Sequence, residues 1–339
     1  MKRTMLSAKS GGYKLALALV MVVAILFAGE QAFASTHAAS KKTVHTASKN
    51  THSNSSHSKS EPVFHFPNLP TIKGGFGQAP SIAFPKNAAP ANLISKVLIQ
   101  GSGPKVTKGS LLVANYIGQI WQGKVFDSSF ARHVPSAFPI GIGQVIPGWD
   151  KTLVGLKTGT RIMLVIPPKD GYGPKGQPSA GITGKDTLVF VVDVIAFYAN
   201  GIHASSGAKS VASTVNGVKI SGPVTKSPSI QFLKGNKSPS KLSITVIDRG
   251  NGPKVKSGLI IMEYVAAPWN TTQRQSSWTK GQLPLDATVG IPGQTNEFGP
   301  LLGMPLGSRV LLQVPKIKTS PAFAVILDLV AQPKGAYYS

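Results

Sequence analysis

Gly141-Ile142-Gly143-Gln144-Val145-Ile146-Pro147-Gly148-Trp149, running on into Asp150-Lys151-Thr152-Leu153-Val154-Gly155-Leu156, is the stretch on which the fold class turns. A short helix fits after Gly148. Trp149, Leu153 and Leu156 share one helical face, Asp150 lies in the first turn where the helix dipole favours an anion, and Gly155 marks the end. Working outward, the flanking segments read as strands. Leu111 to Ile120 and Thr187 to Phe197 are β-branched and aromatic runs, and Arg161 to Ile166 is bounded by Gly159 and Pro167. Strands around one short helix imply an α+β architecture, an antiparallel β-sheet wrapped on that helix.

The pattern occurs twice. Thr71-Ile72-Lys73-Gly74 matches Lys219-Ile220-Ser221-Gly222, and Gly101-Ser102-Gly103-Pro104-Lys105-Val106 matches Gly250-Asn251-Gly252-Pro253-Lys254-Val255. Tyr116, Trp121, Gly155, Gly159 and Arg161 match Tyr264, Trp269, Gly303, Gly307 and Arg309. The offset stays near 148 residues, too long for a solenoid unit, so two copies of one domain in tandem are expected, at 70–199 and 218–339. Residues 200–217, small and polar, read as the linker.

The start of the chain reads as a targeting segment, residues 1–34. Lys2, Arg3, Lys9 and Lys14 precede an apolar run from Leu15 to Ala28, and Ala32-Phe33-Ala34 offers a small-x-small cleavage site. The run is shorter than the ~20 residues a spanning helix needs, so cleaved export is expected, with an uncleaved anchor as the alternative. Residues 35–69 read as a disordered Ser/His/Lys-rich tether. Its irregularly spaced His37, His45, His52 and His57 argue against a fixed metal site.

The chain of 339 residues has no cysteine, which excludes disulfides and thiolate chemistry. The net charge of +24 is spread over both halves: residues 70–199 hold 13 Lys/Arg against 5 Asp/Glu, and residues 200–339 hold 15 against 5. No basic stripe or groove-reading motif accompanies it, so no specific nucleic acid is implied. An anionic envelope surface is the partner such a charge would attract. Gly171-Tyr172-Gly173-Pro174-Lys175-Gly176 fits the dinucleotide pattern of glycines, but Pro174 and Pro178 forbid the helix that pattern requires. His133 and His203 lack a Ser/Asp setting for a triad. No cofactor and no metal is implied.

What remains is an apolar site with one acid. By periodicity alone Tyr116, Phe126, Trp149 and Phe190 also read as core aromatics of a small β domain. Asp127 and Tyr172 resist that reading. A buried carboxylate needs a partner, for which the Tyr116 hydroxyl and Arg132 are suited, and a tyrosine on a glycine-rich loop is better placed for a lid than for a core.

These residues carry a family resemblance. Tyr116, Phe126-Asp127-Ser128-Ser129, Val145-Ile146-Pro147-Gly148-Trp149, Gly171-Tyr172-Gly173 and Thr187-Leu188-Val189-Phe190 occur in the order and spacing of the FKBP-type peptidyl-prolyl cis-trans isomerases, which residues 93–198 resemble. The whole resembles exported bacterial members with two such domains, the second degenerate. The resemblance implies a prolyl pocket with Trp149 as floor, Tyr116, Phe126, Val145, Ile146 and Phe190 as walls, and Ile182 and Tyr172 reaching in from the next loop. It implies Asp127 at the pocket edge, bonded to Tyr116 and near Arg132, with the Ile146 amide and the Tyr172 hydroxyl contacting ligand. It further implies proline-containing exported polypeptides and macrolides of the tacrolimus/rapamycin type as partners. Ser136, where many members carry an aromatic residue, Gln144 and Gln177 depart from the pattern and bear on substrate preference and macrolide affinity. A non-catalytic chaperone or client-binding module on the same fold is the alternative.

The second copy departs further. Its equivalents of residues 126–129 are Arg274-Gln275-Ser276-Ser277, and the loop bearing Tyr172 is cut down. The Trp149 position falls on Glu297 or Phe298. A folded but inactive domain is expected there.

Overall fold

The computed structural model describes residues 61–204, 207–292, 298–318 and 320–334. The targeting segment, most of the tether and Glu297 lie outside the described residues. Among those described, no helix is long and apolar enough to cross a membrane.

The first half carries strands β1 (Val63–Phe64), β2 (Thr71–Lys73), β3 (Ser81–Ala83), β4 (Ile94–Ile99), β5 (Ser110–Ile120), β6 (Val125–Ser128), β7 (Ser136–Ile140), β8 (Arg161–Ile166) and β9 (Leu188–Tyr198). Helix α1 spans Ser129–Arg132 and α2 spans Pro147–Leu153. An antiparallel sheet runs in the order β4-β8-β9-β5-β6, with β7 also on β5. The second half carries β10 (Lys209–Ser210), β11 (Thr214–Val215), β12 (Val218–Ser221), β13 (Ser229–Phe232), β14 (Ser243–Arg249), β15 (Gly258–Pro268), β16 (Gln275–Ser276), β17 (Leu285–Val289), β18 (Arg309–Val314) and β19 (Phe323–Ala331). Its main sheet runs β10-β14-β18-β19-β15-β16 with β17 on β15, the same order plus one edge strand.

Helix α2 forms where the sequence places it. Pro147 opens it, since a missing N–H is harmless in the first turn, and Trp149 and Leu153 are buried against the concave face of the sheet. Gly148 is needed for that approach: a Cβ there would meet Ile166 side-chain atoms at 2.8 Å. In the second half the corresponding region holds a single 3-10 turn, Gly299–Leu301, with Phe298 and Leu301 buried in its core. Asp150 does more than favour the dipole. Its carboxylate accepts from the amides of Gly141 (2.6 Å) and Gly143 (2.7 Å), pinning the loop before the helix.

Three readings need correction. Ordered structure begins before residue 70: β1 lies within the stretch taken for tether, and Leu69 is buried. The stretch taken for linker contains β10 and β11. The first half has a second helix, α1, whose N-cap Ser128 accepts from the Ala131 amide at 3.2 Å and which ends on His133 in the left-handed conformation. It is a single turn, below the length at which hydrophobic periodicity registers.

Strands β1–β3 form a small separate sheet laid over the convex face of the main one. Ile72 and Leu69 pack there against Met163, Val165, Val189 and Val191. A buried ion pair fixes it. Arg161 Nε and Nη2 donate to Asp193 at 2.6 and 2.8 Å, while Nη1 and Nη2 donate to the carbonyls of Gly74 and Gln78 at 2.7 and 2.6 Å. Strands β11–β13 form the counterpart in the second half. There Arg309 pairs with Asp328 and donates to the carbonyls of Gly222 and Lys226. Long-range partners thus supply each buried guanidinium with the hydrogen bonds its burial requires.

One buried acid differs between the halves. Asn115 on β5 stands opposite Asp193 on β9, and Glu263 on β15 stands opposite Asp328 on β19. Burial, aided by the Asp328 charge, pushes the Glu263 carboxyl up to about 7 although Ser277 Oγ donates to it. The unfolded chain, with an ordinary glutamate, releases this proton near pH ~4.3. The folded chain therefore holds more protons between those two values, and stability falls as pH rises through that window. Glu263→Gln is expected to flatten the decline in unfolding free energy between about pH 4 and 7, by an amount on the order of 2 kcal/mol. Equal slopes in the parent and the variant would show that Glu263 does not titrate with unfolding.

Candidate functional site: an aromatic pocket on the concave face

Strands β5, β6, β7 and β9 and helix α2 bring five rings together. Trp149 lies at the centre, 3% exposed. Its ring meets Phe138 at 4.9 Å, Phe190 at 5.4 Å and Tyr116 at 5.5 Å between centroids, all edge to face. Phe126 meets Phe190 at 5.5 Å. Edge-to-face contacts suit aromatic quadrupoles, so the rings hold one another upright rather than stacking flat. Half-buried Val145 and Ile146 pack on the same cluster from the loop before α2, and buried Ile182 packs from the far side.

Why the rings can meet follows from Gly118 on β5. A Cβ there would lie 2.5 Å from Phe126 Cζ and 2.8 Å from Phe190 Cε1. The missing side chain is what admits both rings.

The polar edge is a closed set of bonds. The Tyr116 hydroxyl donates to Asp127 Oδ2, and Arg132 Nη1 donates to Asp127 Oδ1. Arg132 Nη2 adds bonds to the Tyr116 hydroxyl at 3.1 Å and to Ser136 Oγ at 3.2 Å. Ser129 supports the frame by accepting from the Tyr116 amide at 2.8 Å. Burial, reinforced by the Asp127 charge, raises the Tyr116 hydroxyl well above an ordinary tyrosine. Tyr116 is thus a neutral donor throughout the physiological range, and Asp127 accepts from both Tyr116 and Arg132. Tyr172 stands at the rim, 38% exposed. Its hydroxyl is raised by burial first and then by the Asp127 charge, which places the two within electrostatic reach. The Tyr172 loop is tied to α2 by Lys151 Nζ donating to Asp170 Oδ1 at 2.6 Å.

Nine of the ten residues singled out in the sequence are joined here by packing or hydrogen bonds, and Tyr172 joins them only through the Asp127 charge. Sequence reading missed Phe138. Ser136, two residues earlier on β7, drew attention because it departs from the family pattern, yet strand alternation puts Phe138 on the same face. Two polar groups remain open. Trp149 Nε1 is buried without a partner among the described residues, and the Ile146 amide is used by no described hydrogen bond, while the Ile146 carbonyl accepts from the Trp149 amide at 2.9 Å. Among the described residues no cluster of His, Asp or Glu could hold a metal.

An aromatic cluster edged by an ion-paired carboxylate, set on a sheet wrapped around a short helix, has the chemistry suited to an apolar ligand with one or two hydrogen-bonding atoms. Comparison with known proteins specifies it. The family model for FKBP-type peptidyl-prolyl cis-trans isomerase matches residues 103–195. The FK506-binding protein of Streptomyces anulatus is 38% identical over 120 residues, 35% of this chain and 97% of that protein. The chloroplastic peptidyl-prolyl cis-trans isomerase FKBP13 of Arabidopsis thaliana is 38% identical over 117 residues, 33% of this chain and 55% of that protein. The peptidyl-prolyl cis-trans isomerase FKBP2 of Homo sapiens is 44% identical over 91 residues, 27% of this chain and 63% of that protein. The chain belongs to the FKBP-type peptidyl-prolyl cis-trans isomerase family. It spans less than two thirds of the length of the second and third of these relatives.

Proposed function

We propose that this protein isomerises X-Pro bonds in exported polypeptides, with the activity confined to the pocket around Trp149. The convergence of Tyr116, Phe126, Phe138, Trp149 and Phe190 beside the Asp127–Arg132 pair carries this reading. An X-Pro amide resists rotation because resonance raises a barrier of ~18–20 kcal/mol. At the perpendicular geometry the resonance is lost and the carbonyl oxygen carries less charge. A wall of rings favours that less polar state over the planar amide, which is binding stronger in the transition state than in the ground state. The Ile146 amide and the Tyr172 hydroxyl are the groups free to orient the flanking carbonyls. Asp127 holds Tyr116 and Arg132 in place and needs no proton transfer.

The second half keeps the sheet but not the aromatic cluster. Arg274 replaces the ring of Phe126 and lies over Phe232 instead, outside the core. Tyr264 is retained, bonded through its amide to Ser277 Oγ as Tyr116 is to Ser129 Oγ. This asymmetry supports one active and one degenerate domain, at 70–199 and 218–339, and the basic front and apolar run of residues 1–34 support export. A macrolide of the tacrolimus type would occupy the same pocket as proline. The alternative of a purely client-binding module keeps the fold and dispenses with turnover. Assay of the full chain on a short chromogenic X-Pro peptide separates the two. The parent is expected to accelerate isomerisation over the Phe126→Ala/Asp127→Ala double variant, and equal rates would leave only the binding module.

A further inference from the structure

The second half has an open groove whose first-half counterpart is filled by the chain itself. In the first half, Phe84 and Trp121 meet at 5.4 Å after β3 and β5. The segment Pro85–Asn87, bent at Lys86 and Asn87, then lies beside them. Gln122 Nε2 donates to the carbonyls of Pro85 (2.6 Å) and Asn87 (3.1 Å), and Trp121 Nε1 donates to the carbonyl of Asn87 (3.3 Å). In the second half Phe232 and Trp269 make the same ring pair at 5.1 Å. Here the chain after β13 turns back instead. The Leu233 amide donates to the carbonyl of Gly217 at 2.8 Å, and Asn236 Nδ2 donates to the same carbonyl at 3.3 Å.

Such a segment is therefore absent, and a cavity of about 450 Å³ opens between residues 230–236 and 270–274. The donors it would have served are left over. Trp269 Nε1 is buried without an acceptor among the described residues. Asn270, in the left-handed conformation (φ 59°) like Gln122 (φ 52°), lines the cavity, and no described hydrogen bond uses its side chain. Trp269 itself lies behind the lining, so Asn270 is the unused donor that the cavity presents. The lining carries Lys234 and Arg274 and no acid. Arg274 donates to backbone carbonyls and, among the described residues, pairs with no carboxylate.

We infer that this groove docks a short acidic stretch of another polypeptide, laid where Pro85–Asn87 lies in the first half. Its carbonyl accepts from Asn270, and its acidic side chain meets Lys234 and Arg274. The inference does not depend on isomerase activity and assigns a binding role to the half that lacks the aromatic cluster.

The test uses the full chain and a fluorescein-labelled peptide, Phe-Ala-Glu-Asn-Ala-Ala. It follows the filling segment with its lysine exchanged for glutamate and its proline removed, so that the pocket around Trp149 has no ring to grip. Saturable binding is expected. Lys234→Glu, at an exposed position, is expected to weaken it about tenfold by opposing like charges. Asn270→Gly, which keeps the left-handed turn without strain, is expected to weaken it too, and Phe126→Ala/Asp127→Ala to leave it unchanged. In nitrogen-15 spectra the indole resonance of Trp269 is expected to move and that of Trp149 to stay. Absent saturation, binding indifferent to both groove variants, or a shift at Trp149 in place of Trp269 would overturn the inference. So would self-association of the chain that Lys234→Glu abolishes, since a second copy would then be the occupant.

Discussion

Arg161→Met is expected to lower the unfolding free energy by about 3–5 kcal/mol, the usual penalty for leaving one member of a buried ion pair alone. Both partners of the pair are fully buried. Removal of the guanidinium strands the Asp193 carboxylate, which burial already pushes above the usual carboxylate range despite Arg161. It also releases the carbonyls of Gly74 and Gln78, which hold the small sheet β1–β3 on the main one. Urea denaturation measures the loss, and limited proteolysis should show faster cleavage within residues 61–84. Replacing both partners, Arg161→Met with Asp193→Leu, should restore much of the stability because no charge remains buried. A single variant no less stable than a surface control such as Lys185→Met would refute the clamp.

The second large effect concerns the pocket floor. Trp149→Ala is expected to lower kcat/KM on an X-Pro peptide about a hundredfold, a loss near 2.7 kcal/mol in transition-state binding. Three rings lose their common neighbour, so the walls as well as the floor are affected. The same change removes a buried side chain and costs about 3–5 kcal/mol of stability. Circular dichroism at the assay temperature must therefore show a folded variant before the rates are compared. Trp149→Phe keeps an apolar floor and should recover most of the rate. A folded Trp149→Ala variant as fast as the parent would remove the basis of the catalytic reading.

The chemistry of the site was legible in the sequence because its parts are local. Tyr116, Phe126, Asp127 and Arg132 fall within seventeen residues, and helical spacing alone orients Trp149 and Leu153 inward. Strands β5 and β9 followed from β-branched and aromatic runs, and β8 from its bounds at Gly159 and Pro167. What escaped was held by contacts distant in sequence. Strands β1–β3 are two or three residues long, too short for any periodicity, and owe their place to Arg161, 87 residues from Gly74. Arg161 and Arg309 were visible as repeated residues, but nothing in their surroundings announces that each is buried with an aspartate from the neighbouring strand. Asp150 was assigned to its own helix, yet its shortest bonds run backward to Gly141 and Gly143, a loop geometry that charge position alone does not encode. Phe138 was obscured by attention to Ser136 in place of the simple alternation of β7.

The two halves also share an apolar seam. Leu111, Val113, Val134 and Tyr198 pack against Leu259, Ile261 and Ile291, and Asn200 Nδ2 closes the margin by donating to the carbonyls of Ser277, Thr279 and Gln282. Excising the N-terminal half at residue 199 would strip this backing and leave a greasy plate open to water, inviting clumping. The rear module, whatever it grips, thus also serves as the lining that keeps the front one dispersed, and minimal versions of the protein made for assay or engineering would have to repaint that plate with polar side chains.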